Sequence, residues 1–178
     1  MDGGEKNIVL VGFMGTGKSM TGRLLAKKLK RSFVDLDERI ARQARKTIPE
    51  IFVQEGETGF RQRETQQVAK LCEKSGQVIA AGGGVMLSEE NVQALRRSGI
   101  LICLTARSEV ILSRALSSLG SRPLLNGSNP REKIEELLAL RAPFYAKADF
   151  STDTSDRSID EVAEEILRYL NEDSRRAH

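Results

Sequence analysis

The sequence has little of the chemistry that zinc-dependent and histidine-dependent enzymes use. It contains one histidine, His178, and two cysteines, Cys72 and Cys103, among 178 residues. Cys72 lies in a helical pattern and Cys103 in an apolar, strand-like run, and neither has a companion at the short spacing of a zinc site. These shortages argue against a zinc site and against catalysis by histidine, and both cysteines are expected to be small core residues.

Long hydrophobic runs and concentrated charge are also missing. No apolar run approaches the ~20 residues that a membrane-spanning helix needs, and the polar residues 1–6 contain no apolar secretory segment. The formal net charge is +3, and the basic residues are spread along the chain instead of forming the dense stripe of a nucleic-acid-binding protein. We therefore expect a cytoplasmic protein with no membrane and no nucleic-acid partner.

The sequence does contain a regular alternation of short apolar runs and helical patterns. This alternation is typical of an α/β protein, in which helices cover both faces of a parallel sheet, and the length fits one domain over residues 1–178. The predicted strands are Asn7–Val11, Phe33–Leu36, Val78–Ala81, Ile100–Leu104 and Phe150–Thr152. The predicted helices are Ser19–Lys30, Glu38–Ala44, Glu57–Ser75, Ser88–Ser98, Glu109–Leu119, Arg131–Arg141 and a last one after the capping box of Ser158 and Glu161.

A glycine-rich loop follows the first predicted strand. Residues 12–19 read GFMGTGKS and precede the helix predicted from Ser19. Strand, glycine loop, lysine, hydroxyl and helix occur in the order of a phosphate-binding P-loop, in which backbone N–H groups and the positive helix end surround phosphate oxygens. Lys18 can reach the β- and γ-phosphates, and the Ser19 hydroxyl can bind Mg²⁺. The loop predicts nucleotide binding and leaves the acceptor of the γ-phosphate open.

Two aspartates at the end of the second predicted strand can supply the carboxylates that such a site needs. A P-loop enzyme usually holds magnesium with an aspartate at the end of a later strand, but here the third strand ends in glycine and the fourth in the sequence LTA. Asp35 and Asp37 are two positions apart, which places them on one face where the backbone remains extended. One can serve the metal and the other an acceptor hydroxyl. Alternatively, Asp37 caps the helix that follows.

An arginine and a run of glycines are further candidates. Arg61 stands near the start of a predicted helix, where a cation opposes the helix dipole, and Glu64 is placed to pair with it. A guanidinium there can hold a carboxylate through two hydrogen bonds, although an exposed, solvated arginine is the alternative. Gly82, Gly83 and Gly84 offer only backbone N–H groups and close approach, or else a flexible turn.

Two more arginines lie in the C-terminal half of the chain. Arg122 is inside residues 119–130, which are dense in turn formers and typical of a mobile lid, and from there it can swing over a transferring phosphate. Arg141 ends a predicted helix shortly before Pro143, so its charge can belong to the site or can cap that helix end.

Together these motifs resemble the shikimate kinase family, over nearly the whole chain from Ile8 to about Leu170. The matching motifs are the P-loop 12–19, Asp35-x-Asp37, Phe60-Arg61-x-x-Glu64, Gly82-Gly83-Gly84, Ser121-Arg122-Pro123-Leu124-Leu125 and Arg141-x-Pro143-x-Tyr145. The resemblance implies a P-loop kinase fold with a five-stranded parallel sheet in 2-3-1-4-5 order, a shikimate-binding region at about residues 37–64 and a lid at about residues 119–130. It also implies phosphorylation of the 3-hydroxyl of shikimate by ATP, with Mg²⁺ as cofactor, in a monomer.

The resemblance further assigns roles to individual residues. It places Gly15, Thr16, Gly17, Lys18, Ser19, Met20 and Arg122 on ATP, with Arg114 and Arg157 near its adenine. It places Ser19 and Asp35 on Mg²⁺, the latter through water, and it gives Asp37, Arg61, Gly82, Gly83, Gly84 and Arg141 to shikimate. Lys18, Asp37 and Arg122 are the implied catalytic residues. At position 20 the family commonly has threonine, and this chain has Met20. The resemblance therefore implies a contact of ATP with the main chain of Met20 and none with a side-chain hydroxyl.

Other functions share part of this pattern. A related small-molecule kinase, such as one for gluconate, has the same P-loop and size but does not need two arginines and a glycine triplet. A nucleoside monophosphate kinase has a larger lid and more phosphate-binding arginines. A non-catalytic ATP-binding domain would be indicated by loss of Lys18, Asp37 or Arg61, and all three are present.

Overall fold

The structure, a computed structural model, describes residues 5–117 and 129–176. In this part of the chain, five parallel strands form one sheet in the order β2-β3-β1-β4-β5. The strands are β1 (Asn7–Val11), β2 (Ser32–Asp35), β3 (Gln77–Ala80), β4 (Gly99–Thr105) and β5 (Phe150–Asp153). The predicted fold class, the strand order and all five strands are confirmed, and no strand end differs from its prediction by more than one residue.

Helices connect the strands and cover both faces of the sheet. Within the described residues they are α1 (Lys18–Leu29), α2 (Leu36–Ala44), α3 (Ile48–Cys72), α4 (Glu89–Ser98), α5 (Ser108–Leu116), α6 (Pro130–Tyr145) and α7 (Ile159–Arg176), with a short 3-10 helix at Val85–Leu87. No helix in the described ranges is long and apolar enough to cross a membrane.

The central strand β1 is buried on both faces, which explains its unbroken apolar sequence. Its successive side chains point to opposite sides. Val9 and Val11 belong to one hydrophobic cluster, which includes residues of α3, α4 and α6. Ile8 and Leu10 belong to a second cluster with residues of α1 and α7. The sheet is therefore a packed middle layer with no room for a ligand on its faces, and a binding site is expected at the carboxyl ends of its strands.

Helix α3 is the element that the sequence analysis described least well. It begins at Ile48, not at Glu57, and it bends at Gly56, whose φ of 69° and ψ of −177° are not helical. A capping box starts it, because the Thr47 side chain accepts a hydrogen bond from the Glu50 N–H while the Glu50 carboxylate accepts from the Thr47 N–H. Gly56 therefore divides α3 into two helical halves, and only the second half was predicted as a helix.

Two predicted helix ends were also wrong. Helix α5 ends at Leu116 instead of Leu119, and the Ser117 hydroxyl donates to the carbonyl of Arg114, satisfying one of the last carbonyls of the helix. Helix α6 continues beyond Arg141 to Tyr145 with Pro143 inside it. Proline removes one helical hydrogen bond, but tertiary contacts of this last turn, described below, hold it in place.

The end of α1 offers a test of backbone strain. Lys30 is exposed and adopts a left-handed conformation (φ 55°, ψ 38°), from which its N–H reaches the carbonyls of Ala26 and Lys27. Because glycine takes this conformation without a Cβ penalty, we expect Lys30→Gly to stabilise the protein by about 0.5–1 kcal/mol, which corresponds to a Tm increase of about 1–4 °C. Thermal denaturation measures it. Lys27→Gly, inside the same helix, should instead destabilise by about 1 kcal/mol, and a Lys30→Gly protein that loses stability would contradict the strain argument.

Candidate active site

A cavity of about 560 Å³ lies at the carboxyl ends of β1, β2 and β3, where the P-loop, Asp35 and the glycine triplet follow the strands. Ligands of open α/β sheets bind at this edge. Most of the predicted site residues line the cavity: Gly15, Gly17, Lys18, Ser19, Met20, Asp35, Asp37, Arg61, Gly82, Gly83, Gly84, Arg114 and Arg141. The fold thus brings together residues that are up to about 126 positions apart in the sequence.

The P-loop is held in shape by backbone geometry and by its own carbonyl groups. Gly12 has a φ of 133°, and a Cβ on it would lie 2.2 Å from the carbonyl oxygen of Leu104 in β4, so only glycine fits there. The Lys18 ammonium donates to the carbonyls of Gly12 (2.9 Å) and Phe13 (2.8 Å). The buried Thr16 hydroxyl donates to the same Phe13 carbonyl at 2.7 Å. Thr16 therefore supports the loop from inside.

Ser19 and Asp35 lie side by side next to the P-loop. The Ser19 hydroxyl donates to Asp35 Oδ2 at 2.5 Å. The other carboxylate oxygen, Oδ1, accepts from the N–H groups of Asp37 (3.1 Å) and Glu38 (3.2 Å), which makes Asp35 the N-cap of α2. The alternative that Asp37 caps α2 is therefore wrong, because Asp35 is the cap.

Asp37 reaches the cavity from the first turn of α2 and not from an extended strand. The strand ends at Asp35, so the two carboxylates approach each other through the strand-to-helix turn and not through a shared strand face. Asp37 remains open to the cavity. Loss of hydration inside the cavity, and then the charge of Asp35, raise the pKa of Asp37, while Lys18 and Arg61 oppose the rise. The carboxyl is thus shifted toward the pH range in which a base can work.

Glu64 lies beside Asp37 and is 1% exposed. Its Oε2 accepts from Arg61, while its Oε1 has no hydrogen-bond partner within the described ranges. A Cβ on Gly82 would lie 2.9 Å from both Asp37 Oδ1 and Glu64 Oε1, so the absence of a side chain at Gly82 leaves room for two carboxylates. Burial raises the pKa of Glu64, and Arg61 opposes the rise.

Arg61 is paired and partly buried, unlike the solvated arginine considered as an alternative. Its side chain is 25% exposed and donates to Glu64 at 2.9 Å and to Glu57 at 3.2 Å. A Cβ on Gly84 would lie 2.4 Å from both terminal nitrogens of the guanidinium. The Phe60 ring lies 5.3 Å from the guanidinium carbon. Gly84 and Phe60 therefore fix the guanidinium at the cavity wall.

Arg141 reaches the opposite side of the glycine triplet from α6. It is 4% exposed, and its guanidinium carbon lies 5.5 Å from the Phe13 ring centre. One terminal nitrogen is 3.4 Å from the Gly83 carbonyl oxygen, to which the Tyr145 hydroxyl also donates at 2.6 Å. Because α6 continues for another turn, Arg141 does not cap its end, and the capping alternative is wrong.

Of the three remaining arginines predicted to contact ATP, only Arg114 lines the cavity within the described residues. Arg114 donates to the carbonyl of Gly15 (2.9 Å) and to the hydroxyl and carbonyl of Thr154, and so ties the P-loop to the segment after β5. Arg157 is not among the residues that line the cavity; its guanidinium pairs with Glu165 and donates to Thr152. Arg122 and most of the predicted lid at 119–130 lie outside the described residues.

Ile48, Phe52 and Tyr145 were not singled out as site residues by the sequence analysis. Ile48 and Phe52 line the cavity from the first half of α3, and Tyr145 anchors the glycine triplet. The capping-box sequence of Thr47 and Glu50 could have revealed the start of α3 and hence the first two.

Comparisons with known proteins agree with this geometry. The sequence profile of the shikimate kinase family matches residues 14–171. The chain is 48% identical over 163 residues to a shikimate kinase of Thermodesulfovibrio yellowstonii, which covers 92% of this chain and 94% of that protein. The solved structure of a shikimate kinase from Acinetobacter baumannii in complex with shikimate has a TM-score of 0.91 and 38% identity, covering 95% of this chain and 94% of the other. A shikimate kinase structure from Aquifex aeolicus has a TM-score of 0.80 and 33% identity, covering 94% and 98%. This chain belongs to the shikimate kinase family.

Proposed function

We propose that this protein transfers the γ-phosphoryl group of ATP to the 3-hydroxyl of shikimate, a step of aromatic amino-acid biosynthesis that yields shikimate 3-phosphate and ADP. The observation that carries the proposal is the placement of Arg61, Arg141 and Asp37 around one cavity that also contains Lys18 of the P-loop. Two guanidinium groups suit a ring carboxylate, and a carboxylate between them and the P-loop suits a hydroxyl that attacks phosphorus.

The acceptor side combines charge with an apolar wall. Arg61 and Arg141 hold the shikimate carboxylate, while Ile48 and Phe52 contact the carbon ring. Backbone groups of the glycine triplet approach the ring from β3, because no side chain stands in the way. A gluconate-type acceptor, which has no ring, would leave the apolar side chains of Ile48 and Phe52 unused, which is why shikimate is the better fit.

The nucleotide side is the P-loop and its neighbours. The N–H groups of the loop surround the phosphates, and Lys18 exchanges its bonds to the Gly12 and Phe13 carbonyls for phosphate oxygens. Ser19 and Asp35 fit Mg²⁺, since their hydroxyl and carboxylate oxygens are the hard ligands that this ion prefers and few protein ligands are needed beside water and phosphate. When bound there, Mg²⁺ would supply charge neutralisation for the transferring phosphate.

Catalysis by this site rests on positioning and charge. Asp37 orients the acceptor hydroxyl and accepts its proton as the oxygen bonds to the γ-phosphorus and the bond to ADP breaks in line. The raised pKa of Asp37 favours that proton transfer. Lys18 stabilises the charge on the γ-phosphoryl group, and Arg122 is proposed to join it there.

One coupled assay tests the proposal. ATP consumption is followed with shikimate, with gluconate and with no acceptor, each with and without Mg²⁺. We expect turnover only with shikimate and Mg²⁺. Turnover with gluconate would favour the related kinase, and binding of ATP without any acceptor-dependent turnover would favour a non-catalytic domain.

The carboxylate-binding role of Arg61 gives a prediction on affinity. Arg61→Lys keeps the charge but loses the planar pair of donors, so we expect the KM for shikimate to rise about 10- to 100-fold, with the KM for ATP within about twofold. Arg63→Lys is the matched control, because Arg63 makes a similar paired contact with Glu55 and does not line the cavity. Equal increases in both KM values would indicate a folding defect instead.

We also propose that the protein acts in the cytoplasm as a monomer, without a membrane or nucleic-acid partner. The spread of its basic residues along the chain and the family resemblance support this proposal. Light scattering after size-exclusion chromatography, with and without substrates, tests the oligomeric state.

A further inference from the structure

A single carbonyl group in the glycine triplet has two donors from the same helix. The Tyr145 hydroxyl donates to the Gly83 carbonyl oxygen at 2.6 Å, and Arg141 approaches that oxygen at 3.4 Å. Arg141 and Tyr145 are four residues apart on α6 and therefore project from the same side of it. Both are buried, so the three groups form a local network in which each affects the others.

The two hydrogen bonds are unequal. A hydroxyl-to-oxygen distance of 2.6 Å is short for its type, whereas 3.4 Å is longer than an ordinary bond from a guanidinium nitrogen. Tyr145 thus satisfies the carbonyl almost alone, and the bond from Arg141 to that carbonyl is weak enough to be exchanged. Burial raises the pKa of Tyr145 to about 12, so its hydroxyl remains a donor over the whole working pH range.

From this network we propose that Tyr145 is a positioning residue for the acceptor carboxylate. By occupying the Gly83 carbonyl, it leaves the Arg141 guanidinium available to the carboxylate. The inference rests on the proposed function, in which Arg141 holds that carboxylate.

Removal of the hydroxyl would change the partner of Arg141. A buried carbonyl needs a donor, and without Tyr145 the Arg141 guanidinium, already 3.4 Å away, can supply one. Arg141 would move closer to Gly83, and the carboxylate would have to compete for it.

The first experiment is Tyr145→Phe, which removes one oxygen and keeps the ring. We expect the KM for shikimate to rise roughly tenfold, while kcat and the KM for ATP stay within about twofold of the wild type. Tyr169→Phe is the matched control, since the other tyrosine also donates to a carbonyl, that of Asp149 at 3.3 Å, and stacks on Phe150, but neither Tyr169 nor Asp149 lines the cavity as Gly83 does. It should change none of the three constants.

The second experiment asks whether Tyr145 acts through Arg141. In an Arg141→Met background, we expect Tyr145→Phe to raise the shikimate dissociation constant, measured by calorimetry, less than about twofold, because the competing guanidinium is gone. An equal effect in both backgrounds, or a parallel rise in the constants for ATP and shikimate with a lower Tm, would overturn the inference. A wild-type protein that fails to phosphorylate shikimate would reject the proposed function, whereas an active wild type with an unaltered Tyr145→Phe variant would reject only the role of Tyr145.

Discussion

Replacing Asp37 with asparagine is expected to lower kcat by about 10²- to 10⁴-fold and to leave the KM for ATP within about twofold. Asparagine keeps the shape of the side chain at the cavity wall but cannot accept the hydroxyl proton. Steady-state kinetics with both substrates measures the change. Glu38→Gln is the matched control, because Glu38 is the neighbouring carboxylate on α2, pairs with Arg23 at the exposed surface and does not line the cavity. An unchanged kcat would remove Asp37 from any base role.

The pH dependence of the reaction belongs to the same prediction. Because the pKa of Asp37 is raised, the proton stays on the carboxyl at pH values at which an ordinary aspartate is ionised. Activity should therefore fall as the pH decreases through a value above about 3.9, the ordinary pKa of aspartate. The same acid limb should be missing from the residual activity of Asp37→Asn. A variant that retains the limb would assign it to another group, with Glu64 the first candidate because burial raises its pKa as well.

The second large effect is expected at Gly12. Gly12→Ala should destabilise the protein by about 3 kcal/mol or more, since the new methyl group overlaps the Leu104 carbonyl and the backbone angle is outside the range of alanine. The P-loop backbone would have to shift to relieve this overlap, and its N–H groups would then no longer surround the phosphates, so ATP binding should be lost too. Urea denaturation and nucleotide calorimetry measure the two effects.

Gly76→Ala is the control for this prediction. Gly76 also has a positive φ, 71°, but the nearest atom to a Cβ there is the Glu5 carbonyl oxygen at 3.9 Å. Its substitution should cost only the strain of the left-handed backbone, about 1–2 kcal/mol, and should leave ATP binding intact. Equal stability and equal ATP binding in the two variants would show that the contact with Leu104 does not matter.

The sheet and the P-loop could be predicted because the residues that specify each of them are neighbours in the sequence. Strands buried on both faces are nearly continuous apolar runs, and the glycines, lysine and hydroxyl of the P-loop are adjacent in the chain. Asp35 and Asp37 were predicted for the same reason, but they do not share an extended strand face, because β2 ends at Asp35 and Asp37 lies in α2. The N-cap of α2 brings them together, and Asp35 fills it, whereas only Asp37 had been considered as a cap.

The parts that were missed depend on contacts between distant segments. The last turn of α6 contains a proline that normally ends a helix, and its Tyr145 hydroxyl bonds to a carbonyl 62 residues away. The first half of α3 has a local signal, its capping box, but this half was not predicted; Gly56 interrupts the helical backbone there, and glycine disfavours a helix interior. Such conflicts between local preference and tertiary packing are common at functional sites.

The bend in α3 has a consequence for how the proposed acceptor site of this protein could change. Ile48 and Phe52 stand before Gly56, and Phe60 and Arg61 stand after it, so one helix supplies two walls of the acceptor cavity. The two torsion angles of Gly56 set the separation of those walls, and no atom lies within 4 Å of a Cβ built there. For evolution or design toward a larger acceptor, position 56 can therefore move one wall without replacing any group that holds the acceptor or performs the chemistry.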